Sequence, residues 1–304
     1  MPDRRPVVSV VIPSYNHGHL IGRALASVFA QTYPSLEVIV VDNNSTDNTD
    51  DVLASYSCFG LTILKVDNGG SIAYSRNRGI AAASGDWIAF LDSDDWWMPE
   101  KLQQCANYFL RADLIYHRLI LSNASPRRFS PVWSGTWELR HPIVMHLLTS
   151  GNPIATSSVV VCRSLFEQIG SFDERPELIA AEDYDAWIRF ARITDRFTFI
   201  PDKLGFYHFS PNSASRKDMS LPMRAVYAAY SDQISGNYRS SMDANAAYAA
   251  GRYAYQANRL GVAFMELLKS FLHGRLELKI RSLILLVGLP GKYLLSLATR
   301  FRDK

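Results

Sequence analysis

DWIAFLDSDDWWMP (86–99) holds two kinds of sequence side by side. The run WIAFL is apolar, with the residue types that fill buried strands. Three carboxylates follow within four positions, Asp92, Asp94 and Asp95. Like charges this close raise the cost of ionising one another. Such a cluster at a strand end becomes favourable where a divalent cation binds. Mg2+ and Mn2+ take oxygen ligands and are held by one or two carboxylates plus substrate phosphates. A solvated acidic turn capping the next helix accounts for the same string, and D-x-D-D alone does not separate the two readings.

The pattern around this stretch predicts its setting. VVSVVIP (7–13), LEVIVVD (36–42) and LTILKV (61–66) read as buried strands, with DWIAFLD (86–92) as the fourth. Between them, HLIGRALASVFAQ places Leu20, Ala24, Leu25, Val28 and Phe29 on one helical face. SIAYSRNRGIAAASG (71–85) reads as a helix closed by Gly85. Alternating, continuously apolar strands and helices predict an α/β fold, a doubly wound, mostly parallel sheet with helices on both faces. Ligands of such sheets sit beyond the carboxyl ends of the strands. Those ends carry PSYN, DNNSTD and DSDD, three polar clusters expected at one edge. Residues 100–215 are less regular, and from about 216 the chain is helical and Ala-rich, with Gly251 and Gly261 read as helix-hairpin contacts.

Composition excludes some classes. The chain has 304 residues, net charge +3 and 48% hydrophobic residues, so nothing global points to nucleic acid. The charge is uneven: residues 275–304 carry +5 and the other 274 sum to −2. Cys58, Cys105 and Cys162 have no metal-site spacing, and a reduced, cytoplasmic setting is expected. No signal peptide and no membrane-spanning run of about 20 apolar residues is expected.

VSVVIPSYN, VIVVDNNSTDNT, SRNRGIAAASGDWIAFLDSDDWWMPEKL and GSFDE…EDYDAWIRFA resemble, in order, the motifs of the inverting glycosyltransferases of family 2, which have a GT-A fold. The resemblance spans about residues 7–215. It implies a catalytic domain over 1–215, with a nucleotide-binding half to about 100 and an acceptor-binding half over 101–215. A helical region then covers 216–304. It implies transfer of a sugar from a nucleotide-diphosphate sugar, with Mn2+ or Mg2+ as cofactor. Pro13, Tyr15 and Asn16 match the first strand's meeting with the nucleotide, and Asp42 the residue that bonds the base. Arg76 matches a basic residue near the phosphates. Asp92 and Asp94 form the D-x-D motif, with Asp94 on the metal and Asp92 toward the ribose or a metal-bound water. Asp183 matches the general base, with Glu182 beside it. Inverting transfer needs such a carboxylate opposite the leaving diphosphate.

Each role has a plainer alternative. Glu182, Asp183 and Asp185 also suit a helix N-terminus. Tyr15 has the alternative reading of a core aromatic, and Arg76 that of a solvated helix charge. Trp96 and Trp97 line an acceptor site or pack behind the strand. Two departures stand out. DNNS replaces the family's frequent D-D-G-S. In YHFSPNSAS, Ser210 stands where a metal- or diphosphate-binding His often lies, leaving His208, two positions earlier, as a candidate ligand or a plain core His. SGNPIATSS (150–158) is expected on the acceptor side.

Asp42 suits an imide, so a UDP-sugar is the expected donor, and a saccharide or lipid-linked saccharide the expected acceptor. The basic, apolar tail reads either as helices on an anionic membrane surface, giving peripheral association at the inner face of the cell membrane, or as helices packed on the protein. Two other functions compete. A non-catalytic nucleotide-binding homologue would tolerate loss of Asp183. A sugar nucleotidyltransferase would want a basic, Gly-rich loop after the first strand, and PSYNHGHL has one Gly and no Lys or Arg.

Overall fold

The computed structural model of the chain describes residues 5–122, 136–209, 218–231, 234 and 236–302, with side chains to 290 except at 237. The chain forms two units. One comprises residues up to Arg140 with Pro153–Ser210, the other His141–Asn152 with Pro211 onward. The sequence-drawn boundary at 215 lies outside the described residues, and the segment 141–152 clusters with the helical unit.

The first unit is built on one sheet. Its first half comprises β1 (Val8–Ser14), α1 (Gly18–Phe29), β2 (Leu36–Asp42), α2 (Thr49–Ser55), β3 (Leu61–Lys65), α3 (Ile72–Ala82) and β4 (Trp87–Phe90). Successive side chains of a strand point to opposite faces. Val8, Val10 and Ile12 of β1 accordingly join Ile21, Ala24, Leu25 and Val28 of α1 in one core. Val11, on the other face, meets α3. A Cβ at Gly79 there would fall 2.3 Å from Val11 Cγ1, so only glycine lets the helix approach. Each fully buried aliphatic side chain contributes about 1.5–3 kcal/mol.

The rest of this unit comprises β5 (Trp96–Trp97), α4 (Lys101–Ala106), β6 (Leu114–Ser122), β7 (Val160–Cys162), α6 (Arg163–Ile169), α7 (Glu182–Ala191) and β8 (Phe197–His208). The strand order is β3-β2-β1-β4-β7-β6-β8-β5. The first four strands are parallel, with Ser14 opposite Asp42 and Phe90 opposite Val11. Their carboxyl ends open together at one edge. Beyond β4 the sheet is mixed: β7 runs against β4 and β6, and β5 against β8. β6 and β8 are parallel.

Two local expectations change. β3 is an exposed edge strand rather than a buried one, with Ile63 on the surface. Gly85 does not close α3, which ends at Ala82 with Ala83 as its cap. Gly85 instead lets the chain pass close to β1: a Cβ there would lie 2.6 Å from Ser9 Oγ and 2.7 Å from the Val7 carbonyl.

The second unit contains α5 (Ile143–Ser150), α8 (Ser220–Ala228), α9 (Asn237–Gln256), α10 (Leu260–His273) and α11 (Leu276–Arg302). Ala254, Ala263, Leu267 and Leu289 form a core between α9, α10 and α11. Gly251 supports this packing, since a Cβ would meet Leu267 Cγ at 2.8 Å, whereas Gly261 has nothing within 4 Å. Leu276, Ile280, Leu283, Ile284 and Val287 leave an exposed apolar stripe on α11. Among the described residues no helix is long and apolar enough to cross a membrane.

Candidate active site

The strand-end loops of the first unit are stitched together by short polar side chains. Asn16, at φ 50°, donates its N–H to Ser45 Oγ at 2.8 Å and accepts from the Thr46 N–H at 2.8 Å. Asp47 accepts from the Gly18 N–H at 2.9 Å. A Cβ at Gly18 would lie 2.2 Å from Asn48 Oδ1, so the two loops touch there. Pro13 is buried within β1, and Tyr15 stands out on the surface, 55% exposed. Asp42 is fully buried at the end of β2. Its carboxylate accepts from Ser45 N–H (3.0 Å), Ser45 Oγ (2.5 Å) and Lys65 Nζ (2.8 Å). Both oxygens are thus committed to holding the loop.

The acidic cluster follows β4. Asp92 and Asp94 are half-buried, and Asp95 is buried. Asp95 accepts the backbone N–H of His208 at 2.7 Å, which ties the end of β8 to the cluster. Burial and Asp92 push the Asp94 carboxyl up to about 6. Arg23 does not cancel that charge with a hydrogen bond, for its guanidinium donates to the Asp94 carbonyl at 2.8 Å. Burial and the two neighbouring carboxylates push Asp95 well above the usual range. His208 is buried, with no partner on Nδ1 among the described residues. Burial, Arg23, His17 and His19 keep it below the usual imidazole value. Ser210 lies outside the described residues.

Arg76 joins the two acidic regions. It is buried on α3, with Nη2 donating to Asp92 Oδ1 at 2.8 Å and Nη1 to Glu182 Oε1 at 2.6 Å. The carboxylates of Asp92 and Glu182 hold its charge firmly in place. The alternative reading of Arg76 as a solvated helix charge therefore fails.

Glu182 and Asp183 open α7. Asp183 Oδ2 accepts from Thr156 Oγ1 at 2.7 Å and Oδ1 from the Tyr184 N–H at 2.6 Å. Burial first, then the Glu182 charge, pushes the Asp183 carboxyl up to about 7, against the opposing pull of Arg76. Neither acid caps α7 from its N-cap position, which is Ala181. Asp185 pairs with Arg189 at 2.7 Å.

Several partners were not legible beforehand. Ser157 Oγ accepts the Asp92 N–H at 3.1 Å, next to the Thr156 that holds Asp183. The hydroxyl-rich SGNPIATSS was the signal, and it led to the acceptor side rather than to these acids. His17 Nδ1 lies 2.7 Å from Ser93 Oγ. The tryptophans pack: Trp97 is buried and donates Nε1–H to the Ser157 carbonyl at 2.7 Å. Trp96 stacks on Phe206 at 4.7 Å, with Arg23 3.6 Å over its ring. Among the described residues no three His, Cys, Asp or Glu converge as a metal cage.

A parallel sheet whose strand ends carry two acidic centres joined by a buried arginine has a polar ligand edge, and comparison names the family. The model described as "Glycosyl transferase family 2" matches residues 9–170, and the chain belongs to that family of glycosyltransferases. The amylovoran biosynthesis glycosyltransferase AmsB of Erwinia amylovora is 34% identical over 66% of this chain and 69% of its own. WfgD of Escherichia coli, a UDP-Glc:alpha-D-GlcNAc-diphosphoundecaprenol beta-1,3-glucosyltransferase, is 30% identical over 60% of this chain and 68% of its own. Of two other curated relatives, the chain covers 54% and 44% of their length. Among solved structures, the mannosyltransferase PcManGT of Pyrobaculum calidifontis, in complex with GDP-Man and Mn2+, has TM-score 0.62 at 20% identity. That match covers 99% of this chain and 84% of that one. At that identity the likeness concerns the fold, which is of GT-A type.

Proposed function

We propose that this glycosyltransferase moves a hexose, with inversion at the anomeric carbon, from a UDP-sugar to a hydroxyl of a saccharide or lipid-linked saccharide. The observation that carries the reading is the pairing of Asp92 and Glu182 through Arg76, which links the D-x-D motif to the neighbour of Asp183 in the chain. Asp183 is the general base. Its carboxyl, pushed up to about 7, is suited to accept a proton near neutrality. The acceptor oxygen gives its proton to Asp183 and bonds to the sugar's C1. The C1–O bond to the diphosphate breaks, and its electron pair leaves with the nucleoside diphosphate. Glu182 holds Arg76 in place, and Arg76 presents positive charge toward the phosphates.

Asp94 and Asp92 fit a divalent cation. They offer hard oxygen ligands, and burial together with Asp92 makes the Asp94 charge costly until a cation offsets it. His208, neutral with an unpartnered Nδ1, would be a further ligand. When bound, Mn2+ or Mg2+ neutralises charge on the departing diphosphate. Pro13, Tyr15 and Asn16 would form the base-side wall, with exposed Tyr15 free to stack. Asp42 would reach the base only through a lone pair left over from Ser45 and Lys65.

A UDP donor and a lipid-linked acceptor are supported by what the name of WfgD states of that enzyme, and envelope polysaccharide assembly by the name of AmsB. The exposed apolar stripe of α11, with Lys279 at its side, supports peripheral contact with an anionic membrane at its inner face.

Calorimetry with UDP, GDP, dTDP and CDP, with and without Mn2+, on wild type and Asp94→Ala tests the donor site. Metal-dependent binding of UDP alone, lost in the variant, is expected. A folded protein that binds none of the four would overturn the reading. The anomeric configuration of the product, read by NMR, tests inversion.

A further inference from the structure

Thr156 and Ser157 are neighbours in a short turn, Thr156–Ser158, and each serves a different acid. The Thr156 hydroxyl donates to Asp183 Oδ2 at 2.7 Å, and the Ser157 hydroxyl accepts the Asp92 N–H at 3.1 Å. Both residues are buried. The turn is held from a third side by the Trp97 indole, whose N–H reaches the Ser157 carbonyl at 2.7 Å. Lys101 Nζ lies 3.6 Å from the centroid of that indole and has no hydrogen-bond partner among the described residues, although Lys101 is fully enclosed. The tryptophan is thus clamped by a cation on its ring and an acceptor on its nitrogen.

We propose that the Thr156–Ser158 turn, braced by Trp97, is a shared positioning device: Thr156 orients the base Asp183 and favours its charged form, and Ser157 sets the backbone of the D-x-D loop. This rests on Asp183 being the base. The groups facing Asp183 are Thr156 from the turn, Glu182 and the Tyr184 N–H from α7, and Arg76 from α3. Thr156 and the Tyr184 N–H each occupy one carboxylate oxygen, so Thr156 decides which lone pairs stay open to an acceptor. A hydrogen bond donated to a carboxylate favours its charged form. Loss of the threonine hydroxyl therefore raises the pH at which Asp183 becomes a base, whereas the Ser157 hydroxyl serves the D-x-D loop, at the Asp92 N–H and the Asp95 carboxylate.

The test uses the full chain, with 13C-carboxyl NMR titration assigned through Asp183→Asn, and UDP calorimetry in Mn2+. Thr156→Val is expected to raise the Asp183 midpoint by about one pH unit, the scale of one such bond, with UDP affinity little changed. Thr156→Ser should restore it. Ser157→Ala should leave the midpoint in place and weaken UDP binding about tenfold. Trp97→Phe, which keeps the ring over Lys101 and removes the N–H, should move both. An unmoved midpoint in Thr156→Val, or one that moves equally in Ser157→Ala, overturns the proposal. Should Thr156→Val not fold, an unmoved midpoint in Trp97→Phe does the same. Sugar transfer that survives in Asp183→Asn would overturn the base assignment instead, a separate failure.

Discussion

Arg76 and Glu182 lie 106 positions apart and meet at 2.6 Å inside the first unit. Each is nearly inaccessible to water, at 3% and 6% side-chain exposure. Removing one partner of a buried pair leaves an uncompensated charge, which costs about 3–5 kcal/mol. Arg76→Ala should therefore lower unfolding free energy by that amount, with UDP affinity falling as well. Denaturant titration beside calorimetry checks both, and a variant as stable as wild type would show the pair to be dispensable.

Activity should follow the ionisation of Asp183. With its carboxyl pushed up to about 7, kcat/KM should fall about tenfold per unit as pH drops below that value. Asp183→Asn should cost on the order of 10^2–10^4 in rate across the range. A flat profile between pH 5 and 8 would count against this base.

Asp94 should trade stability for function. Its folded carboxyl sits at about 6, above the ordinary 3.8. The folded state then binds the proton more tightly than the unfolded one, so metal-free stability declines as pH rises from about 4 to 6 and stays low above. Asp94→Asn should raise metal-free stability near pH 8 by about 1–2 kcal/mol, a figure reduced for partial exposure. The same change should abolish Mn2+-dependent nucleotide binding. Thermal melts with and without Mn2+ read both effects.

Lys101 shows the opposite sign. Burial lowers its ammonium to about 8 from 10.5. The unfolded state then holds the proton more tightly, so stability increases as pH rises from about 8 toward 10.5. Lys101→Met should stabilise the fold at pH 7 by up to about 3 kcal/mol and flatten that alkaline gain. Urea titrations at pH 7 and pH 10 separate the two cases, and a destabilised variant would mean the Trp97 contact outweighs the burial cost.

The parallel half of the fold was legible because its signals are local. Val8, Val10 and Ile12 announce a buried strand by composition, and Leu25 with Val28 announce a helix face by spacing. The place of Asp92 and Asp94 at the sheet edge was legible because they sit directly after β4, at a strand end where ligands of such sheets bind. β3 was misread as buried because an apolar run does not say whether a further strand covers it, and among the described residues β3 is the edge of the sheet. Gly85 was misread for a related reason: a glycine after a helix signals a cap, and only the nearness of Ser9 and Val7 shows a close chain crossing.

The sequence by itself determined which residue types stand at the strand ends, because strand and loop patterns depend on neighbours along the chain. Only the tertiary structure decided that Arg76 bridges Asp92 to Glu182, that Asp42 is committed to Ser45 and Lys65, and that one short turn touches both acidic centres. Charge pairing, burial and the proton affinities that follow from them depend on distances of a few ångströms between residues tens of positions apart. Those distances exist only once the sheet has brought the segments together.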